Sequence, residues 1–170
     1  MVLTSALINK KIKLLQEEKE YWLQLEHDSK TYIAAVNEEP VIPEYDYETV
    51  TQKLNEIDLK ICKYKHTINL ANTTHTVKVG DSEYTIDLIL VRMAQLNKRK
   101  AQLDHMRKAL PKQRLNDDSF RMSKEPEYEY VNYDLKQVNA DFEKISKEII
   151  DMQIVLDEFN QTVEINVDEL

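Results

Sequence analysis

Residues 47–71, YETVTQKLNEIDLKICKYKHTINLA, decide the fold, because their apolar spacing recurs as residues 135–159, LKQVNADFEKISKEIIDMQIVLDEF. Tyr47, Val50, Leu54, Ile57, Ile61, Tyr64, Ile68 and Ala71 map onto Leu135, Val138, Phe142, Ile145, Ile149, Met152, Leu156 and Phe159. The offset is a constant 88 residues (135 − 47 = 159 − 71). Steps of three and four keep one apolar seam on one side of a helix, facing a partner. Both series run into Asn-x-Thr, at Asn72-Thr73-Thr74 and Asn160-Gln161-Thr162. The agreement predicts two copies of one helical unit.

Working outward, a first helix is expected from Thr4 or Ser5, either of which can cap it, to about Val36. Its main stripe is Ile8, Ile12, Leu15, Trp22 and Leu25. Leu7, Leu14, Tyr21 and Tyr32 widen that stripe, and such breadth implies more than one neighbour. A third helix, from about Thr85 or Ile86 to Leu110 and stopped by Pro111, resembles the first. Thr4, Leu7, Ile8, Ile12, Leu15, Lys19 and Trp22 align with Thr85, Leu88, Ile89, Met93, Leu96, Lys100 and Leu103 at an offset of 81 (85 − 4 = 103 − 22). Its inward positions are Ile89, Met93, Leu96, Leu103 and Leu110.

Pro40 and Pro43 make residues 37–45 a connection. The second helix is expected from the cap Asp46 to Ala71, with Asn72 turning left-handed to end it. His75 to Val79 and Glu83 to Ile86 predict a hairpin about Gly80-Asp81-Ser82. Residues 111–127 read as a mobile loop and Tyr128 to Tyr133 as a short strand. A fourth helix follows from Asp134 to Phe159, and Thr162 to Val167 alternates as a closing strand that should meet Met1 to Leu3. The class predicted is mainly α: an elongated antiparallel four-helix bundle, a pseudo-twofold duplication of helix pairs with small β elements at one end. One domain is expected over residues 1–170, with repeat 1 at about 1–79 and repeat 2 at about 80–170.

Composition agrees with long helices and few turns. Of 170 residues one is glycine, whereas ordinary chains carry about 7%. The net charge of −8 argues against general affinity for phosphate backbones. Cys62 is the single cysteine, so no internal disulfide forms. The first residues lack a basic leader, and no apolar run approaches the ~20 residues that span a bilayer. A cytoplasmic protein is the expectation.

Chemical motifs are sparse. Glu26-His27-Asp28 and Asp104-His105 contain metal-type ligands, but helical neighbours diverge and do not converge on one ion. No zinc-protease, paired-cysteine, phosphate-loop or nucleophile-elbow pattern occurs. No catalytic, metal or cofactor residues are assigned. Two acidic tyrosine segments, with Tyr45 and Tyr47 and with Tyr128 and Tyr130, are candidate interface or ligand residues, since tyrosine joins large contact area to a polar tip. Asn72, Thr74, Asn160 and Thr162 read first as helix stops, and then as a site built twice. Lys98, Arg99, Lys112, Arg114 and Arg121 are candidate contacts to an anionic surface, although cations at a helix C-terminus also complement its dipole.

Ser5-Ala6-Leu7-Ile8, Ile68-Asn69-Leu70-Ala71-Asn72-Thr73-Thr74 and Phe159-Asn160-Gln161-Thr162 together resemble the septicolysin-like family of helical bacterial proteins. Arg121-Met122-Ser123-Lys124 followed by Tyr130-Val131 looks like a diverged form of that family's Arg/Ser-rich stretch. The family name implies cytolytic, membrane-active behaviour. From the residues themselves the leading expectation is a non-catalytic, self-associating structural or interaction protein, a homo-oligomer without cofactor, specific nucleic acid or known small-molecule ligand. The alternatives are a membrane-active protein with amphipathic helices, and a metal- or ligand-binding protein with a duplicated site near the β cap.

Overall fold

A computed structural model describes residues 1–114 and 126–167 of the chain. The chain is mainly α, with four long helices and small antiparallel strand pairs. In order these are β1 (Val2–Thr4), α1 (Ser5–Ser29), α2 (Tyr47–Thr74), β2 (Thr76–Val79), β3 (Ser82–Thr85), α3 (Ile86–Arg107), β4 (Lys112–Arg114), β5 (Tyr128–Tyr130), α4 (Leu135–Thr162) and β6 (Glu164–Asn166). Two compact units form, one of Met1–Val77, Thr85–Asp87 and Leu156–Leu170, the other of Lys78–Tyr84 and Leu88–Val155. The units are interleaved in sequence, because β6 returns to pair antiparallel with β1.

In the first unit α1 runs antiparallel to α2, tied by Lys19 Nζ to Asp58 Oδ1 at 2.6 Å and by Tyr45 Oη to Glu26 Oε1 at 3.0 Å. The core is made by Ile8 and Ile12 from α1, Val50, Ile57, Ile61, Tyr64 and Ala71 from α2, and Leu156, Phe159, Ile165 and Val167 from the returning segment. Burying one such side chain contributes roughly 1.5–3 kcal/mol, which is why the seam dictates the pairing. The strand register is Val2 with Asn166, Leu3 with Ile165 and Thr4 with Glu164. Beyond it Met1 and Val167 exchange hydrogen bonds: the Met1 nitrogen donates to the Val167 carbonyl at 3.1 Å, and the Val167 N–H to the Met1 carbonyl at 2.8 Å. In the second unit α3 runs antiparallel to α4, with Arg92 bridging Glu148 at 3.0 Å and Arg107 lying 4.0 Å over the Phe142 ring. Leu96, Leu103, Val138 and Met152 are buried there.

The helix starts follow capping chemistry. Thr4 accepts from Leu7 N, and Asp46 accepts from Thr49 N at 2.9 Å. Hydrogen bonds from the Thr49 hydroxyl and amide hold the Asp46 carboxyl below its ordinary range. Asp134 does the same service for α4, accepting from Lys136 N at 2.8 Å. The element bounds keep the sequence offsets: α2 and α4 each span 28 residues, and Tyr47 and Thr74 shifted by 88 give Leu135 and Thr162.

Several expected details are corrected. Helix α1 ends at Ser29 instead of Val36, and residues 30–42 are all exposed. Thr31, Ile33 and Val36 are β-branched, and Ile33 and Val36 lie fully in solvent, so no packing supports a longer helix. Asn72 does not turn left-handed, and among the described residues only Gly80 has positive φ. Helix α2 runs on to Thr74 and is ended by extended His75, whose N–H bonds the Ala71 carbonyl at 2.9 Å. Leu110, expected inside, is 62% exposed because α3 stops at Arg107. Lys112–Arg114, expected within a mobile loop, is strand β4, paired antiparallel with β5. Residues 115–125 of that expected loop lie outside the described residues.

The β2–β3 turn places Gly80 at φ +60° with nothing within 4 Å of where a Cβ would stand. Gly80→Ala should therefore cost only backbone strain, about 1 kcal/mol, with Gly80→Asn costing less. Urea unfolding of the two variants reads that order, and an unchanged midpoint for alanine would show the turn is not held at positive φ.

Candidate functional site

The strongest local similarity proves to be carried by different residues from those the tyrosine segments suggest. Tyr45 precedes the Asp46 cap, and its hydroxyl donates to Glu26 near the end of α1. At the 88-residue offset its counterpart is Tyr133, which precedes the Asp134 cap and donates to the Met106 carbonyl at 2.9 Å, near the end of α3. Each phenol latches one helix start to the preceding helix end. Partial burial, then the bond to Glu26, pushes the Tyr45 phenol above its ordinary pKa. The signal for Tyr133 was the repeat offset itself, whereas matching Pro-Glu-Tyr words pointed to Tyr128 and Tyr130.

Those two residues do something else. Tyr128 and Tyr130 lie on β5 with ring centroids 6.5 Å apart, and Lys112 of β4 sits with Nζ 4.0 Å from the first ring and 5.4 Å from the second. Lys112, expected to meet an anionic surface, is thus engaged in a cation–π contact within its own hairpin. Behind it a cleft of about 750 Å³ is lined by His105, Lys108, Gln113, Glu129, Tyr130 and Asn132, among others. Asp104 braces this end of α3, accepting from Arg107 at 2.7 Å and Lys108 at 2.5 Å. Those bonds, Lys108 first, hold the Asp104 carboxyl below its ordinary range.

A depressed carboxyl stabilises the fold above its unfolded pKa of about 4, and that contribution is lost as pH falls through the lower folded value. The melting temperature of the wild type should therefore fall more steeply below pH 4 than that of Asp104→Asn. Parallel melting curves of the two across that window would count against the brace.

Of the remaining sequence candidates, those at the ends of α2 and α4 flank the place where His75 meets Phe159 edge-on, with ring centroids 5.5 Å apart. Tyr47 opens α2 and is 67% exposed, and it falls in a different unit from Tyr128 and Tyr130. Asn72 and Asn160 are half-buried within helices. Thr74 donates to the Leu70 carbonyl at 2.8 Å and Thr162 to the Glu158 carbonyl at 2.7 Å, so both hydroxyls serve helix ends. Arg99 bonds Gln102 at 2.9 Å on an exposed face with Lys98, Arg114 is exposed on β4, and Arg121 lies outside the described residues. Among the described residues no group of three His, Cys, Asp or Glu side chains is placed to hold a metal ion.

No family model and no curated protein matches the chain. A solved structure, that of a functionally unknown conserved protein from Corynebacterium diphtheriae, is similar with a TM-score of 0.65 at 15% identity, over 98% of this chain and 100% of that one. The two share a fold.

Helix α1 leaves part of its apolar surface in solvent. Its main stripe faces inward, with Ile8 and Ile12 buried and Leu15, Trp22 and Leu25 half-buried. Its widening residues do not: Leu7 is 49%, Leu14 57% and Tyr21 63% exposed. They recur every seven residues, which on a helix is one continuous line. Among the described residues no helix is long and apolar enough to cross a membrane.

Proposed function

We propose that this chain is a self-associating helical protein of the cytoplasm, with a structural or interaction role and no catalysis, built from two copies of one helix pair. One observation carries the reading: the second apolar face of α1 is left open, with Leu7, Leu14 and Tyr21 in solvent. Aligned apolar residues of this kind mark surfaces that meet another molecule, and symmetric homo-oligomers are the common result. The displaced titrations of Tyr45, Asp46 and Asp104 each serve a helix start or end, which favours a structural role over acid–base chemistry.

The duplication is supported by equal lengths of α2 and α4 and by paired caps and tyrosine latches at the same offsets. The single cysteine, Cys62, fits a reducing compartment. The same open face, with Lys10, Lys11 and Lys13 beside it, also fits the cytolysin-like behaviour implied by the septicolysin resemblance. Multi-angle light scattering with and without anionic liposomes separates the two. A mass above 20.1 kDa without lipid, and no dye release, is the expected result. A monomer that empties liposomes would transfer the assignment to the membrane-active reading.

A further inference from the structure

Resting on that reading of self-association, we infer that the partner on the open face of α1 is α1 of a second copy, laid antiparallel across a twofold axis at Leu14. The apolar line itself says only that something covers it. The charges beside it say what.

Helix α1 is divided in sign. Its first half carries Lys10, Lys11 and Lys13 with no acid, and its second half carries Glu17, Glu18, Glu20, Glu26 and Asp28 against one lysine. That lysine, Lys19, is already bonded to Asp58. The arrangement does nothing for the isolated helix. Cations are favoured toward a helix C-terminus and acids toward its N-terminus, and the one intrahelical pair across the divide, Lys13 to Glu17 at 3.9 Å, has the weaker orientation and is 78% and 61% exposed. Against a second α1 the same division becomes complementary.

At 3.6 residues per turn, Leu7, Leu14 and Tyr21 lie within about 20° of one line, and Lys10 with Glu17 on one side, Lys11 with Glu18 on the other, stand roughly 40–60° away. An antiparallel copy centred on Leu14 sets Leu7 against Tyr21, Lys10 against Glu17, and Lys11 against Glu18, each twice by symmetry. A parallel copy would set lysine on lysine and glutamate on glutamate.

A second observation comes from the other helix pair. At the repeat offsets, Arg92 and Glu148, which form an ion pair 3.0 Å apart in the second unit, correspond to Lys11 and Lys60 in the first. There two lysines stand where one cation and one anion would match, and among the described residues neither forms an ion pair. They line a groove of about 390 Å³ together with Leu14, Leu15, Glu18 and Tyr64. Likewise Leu14, fully apolar and half in water, corresponds to Gln95. The first unit thus presents one exposed leucine flanked by two lysines and one glutamate, Glu18, which form no ion pair with one another among the described residues. Glu18 of a second copy would bring a second carboxylate to that side of the line, opposite Lys11.

The test uses the full chain at graded concentration in sedimentation equilibrium, with circular dichroism to show that each variant is folded. All substituted side chains are exposed or half-exposed, so the fold is expected to persist. Leu14→Glu places two carboxylates on the twofold axis and should leave a monomer. Lys10→Glu/Lys11→Glu and Glu17→Lys/Glu18→Lys should each weaken the dimer about tenfold or more, and an equimolar mixture of the two should recover it. Added salt should weaken the wild-type dimer.

Orientation is read by a short bismaleimide cross-linker in a Cys62→Ser background. Leu14→Cys should cross-link to itself, Leu7→Cys alone should not, and a mixture of Leu7→Cys with Tyr21→Cys should. Self-cross-linking of Leu7→Cys would overturn the antiparallel arrangement. A dimer indifferent to Leu14→Glu and to both charge reversals would overturn this surface while leaving self-association standing, and a wild type that is monomeric throughout would remove both.

Discussion

Phe159→Ala is expected to lower the unfolding free energy by about 3–5 kcal/mol, the range for emptying a large aromatic site in a packed core. Phe159 is 2% exposed near the end of α4. Its ring meets His75 edge-on with centroids 5.5 Å apart, and its carbonyl accepts the Val163 N–H at 3.1 Å as the helix hands over to β6. The cavity would open where α2 ends and the returning strand pairs with β1, so the loss reaches both the core and the β1–β6 pair. For a chain of this length the melting temperature should fall by about 10 °C. With total stabilities of about 5–15 kcal/mol, that is a large share of the whole. Urea unfolding measures it, and a loss below about 1 kcal/mol would mean Phe159 is not in a tightly packed site.

The second large effect belongs to the other unit. Leu103→Ala should cost about 2–5 kcal/mol, since Leu103 is 1% exposed on α3. Leu103 also lines, with Leu96 and Ile145, a cleft of about 400 Å³ between α3 and α4, into which the emptied site would open. Leu103→Met, which conserves volume, should cost less than about 1.5 kcal/mol. Equal losses from the two substitutions would show that polarity or backbone, and not the cavity, sets the cost.

Much of the fold was legible because the 88-residue offset reflects a physical necessity: side chains on one seam must meet a partner. Val50, Ile57, Ile61 and Tyr64 are buried, and of their counterparts Val138 and Met152 are buried while Ile145 and Ile149 are half-buried; Tyr47 is the seam position that stays in water. Asp46 and the β1–β6 closure could be read for the same reason, since caps and alternation have local chemistry. The end of α1 could not. Tyr32, Ile33 and Val36 continue the apolar periodicity, but whether a periodic residue is helical depends on what stands opposite it, and Ile33 and Val36 lie fully in solvent.

The site was less legible than the fold. Tyr128 and Tyr130 stand side by side on β5, and their partner, Lys112, comes from a segment whose polar composition conceals a strand. Tyr133 lacks the Pro-Glu-Tyr word, yet it lies 88 residues beyond Tyr45 and its hydroxyl likewise bonds the end of the preceding helix. The breadth of the α1 stripe was visible in the sequence. That its outer members Leu7, Leu14 and Tyr21 are left exposed among the described residues was not, because coverage is a property of the assembled core.

Sedimentation equilibrium of the wild-type chain over a hundredfold range of concentration puts self-association to its most direct trial. The average mass should climb from 20.1 kDa toward twice that value as concentration rises, and climb less in high salt. A mass fixed at 20.1 kDa over the entire range would contradict it.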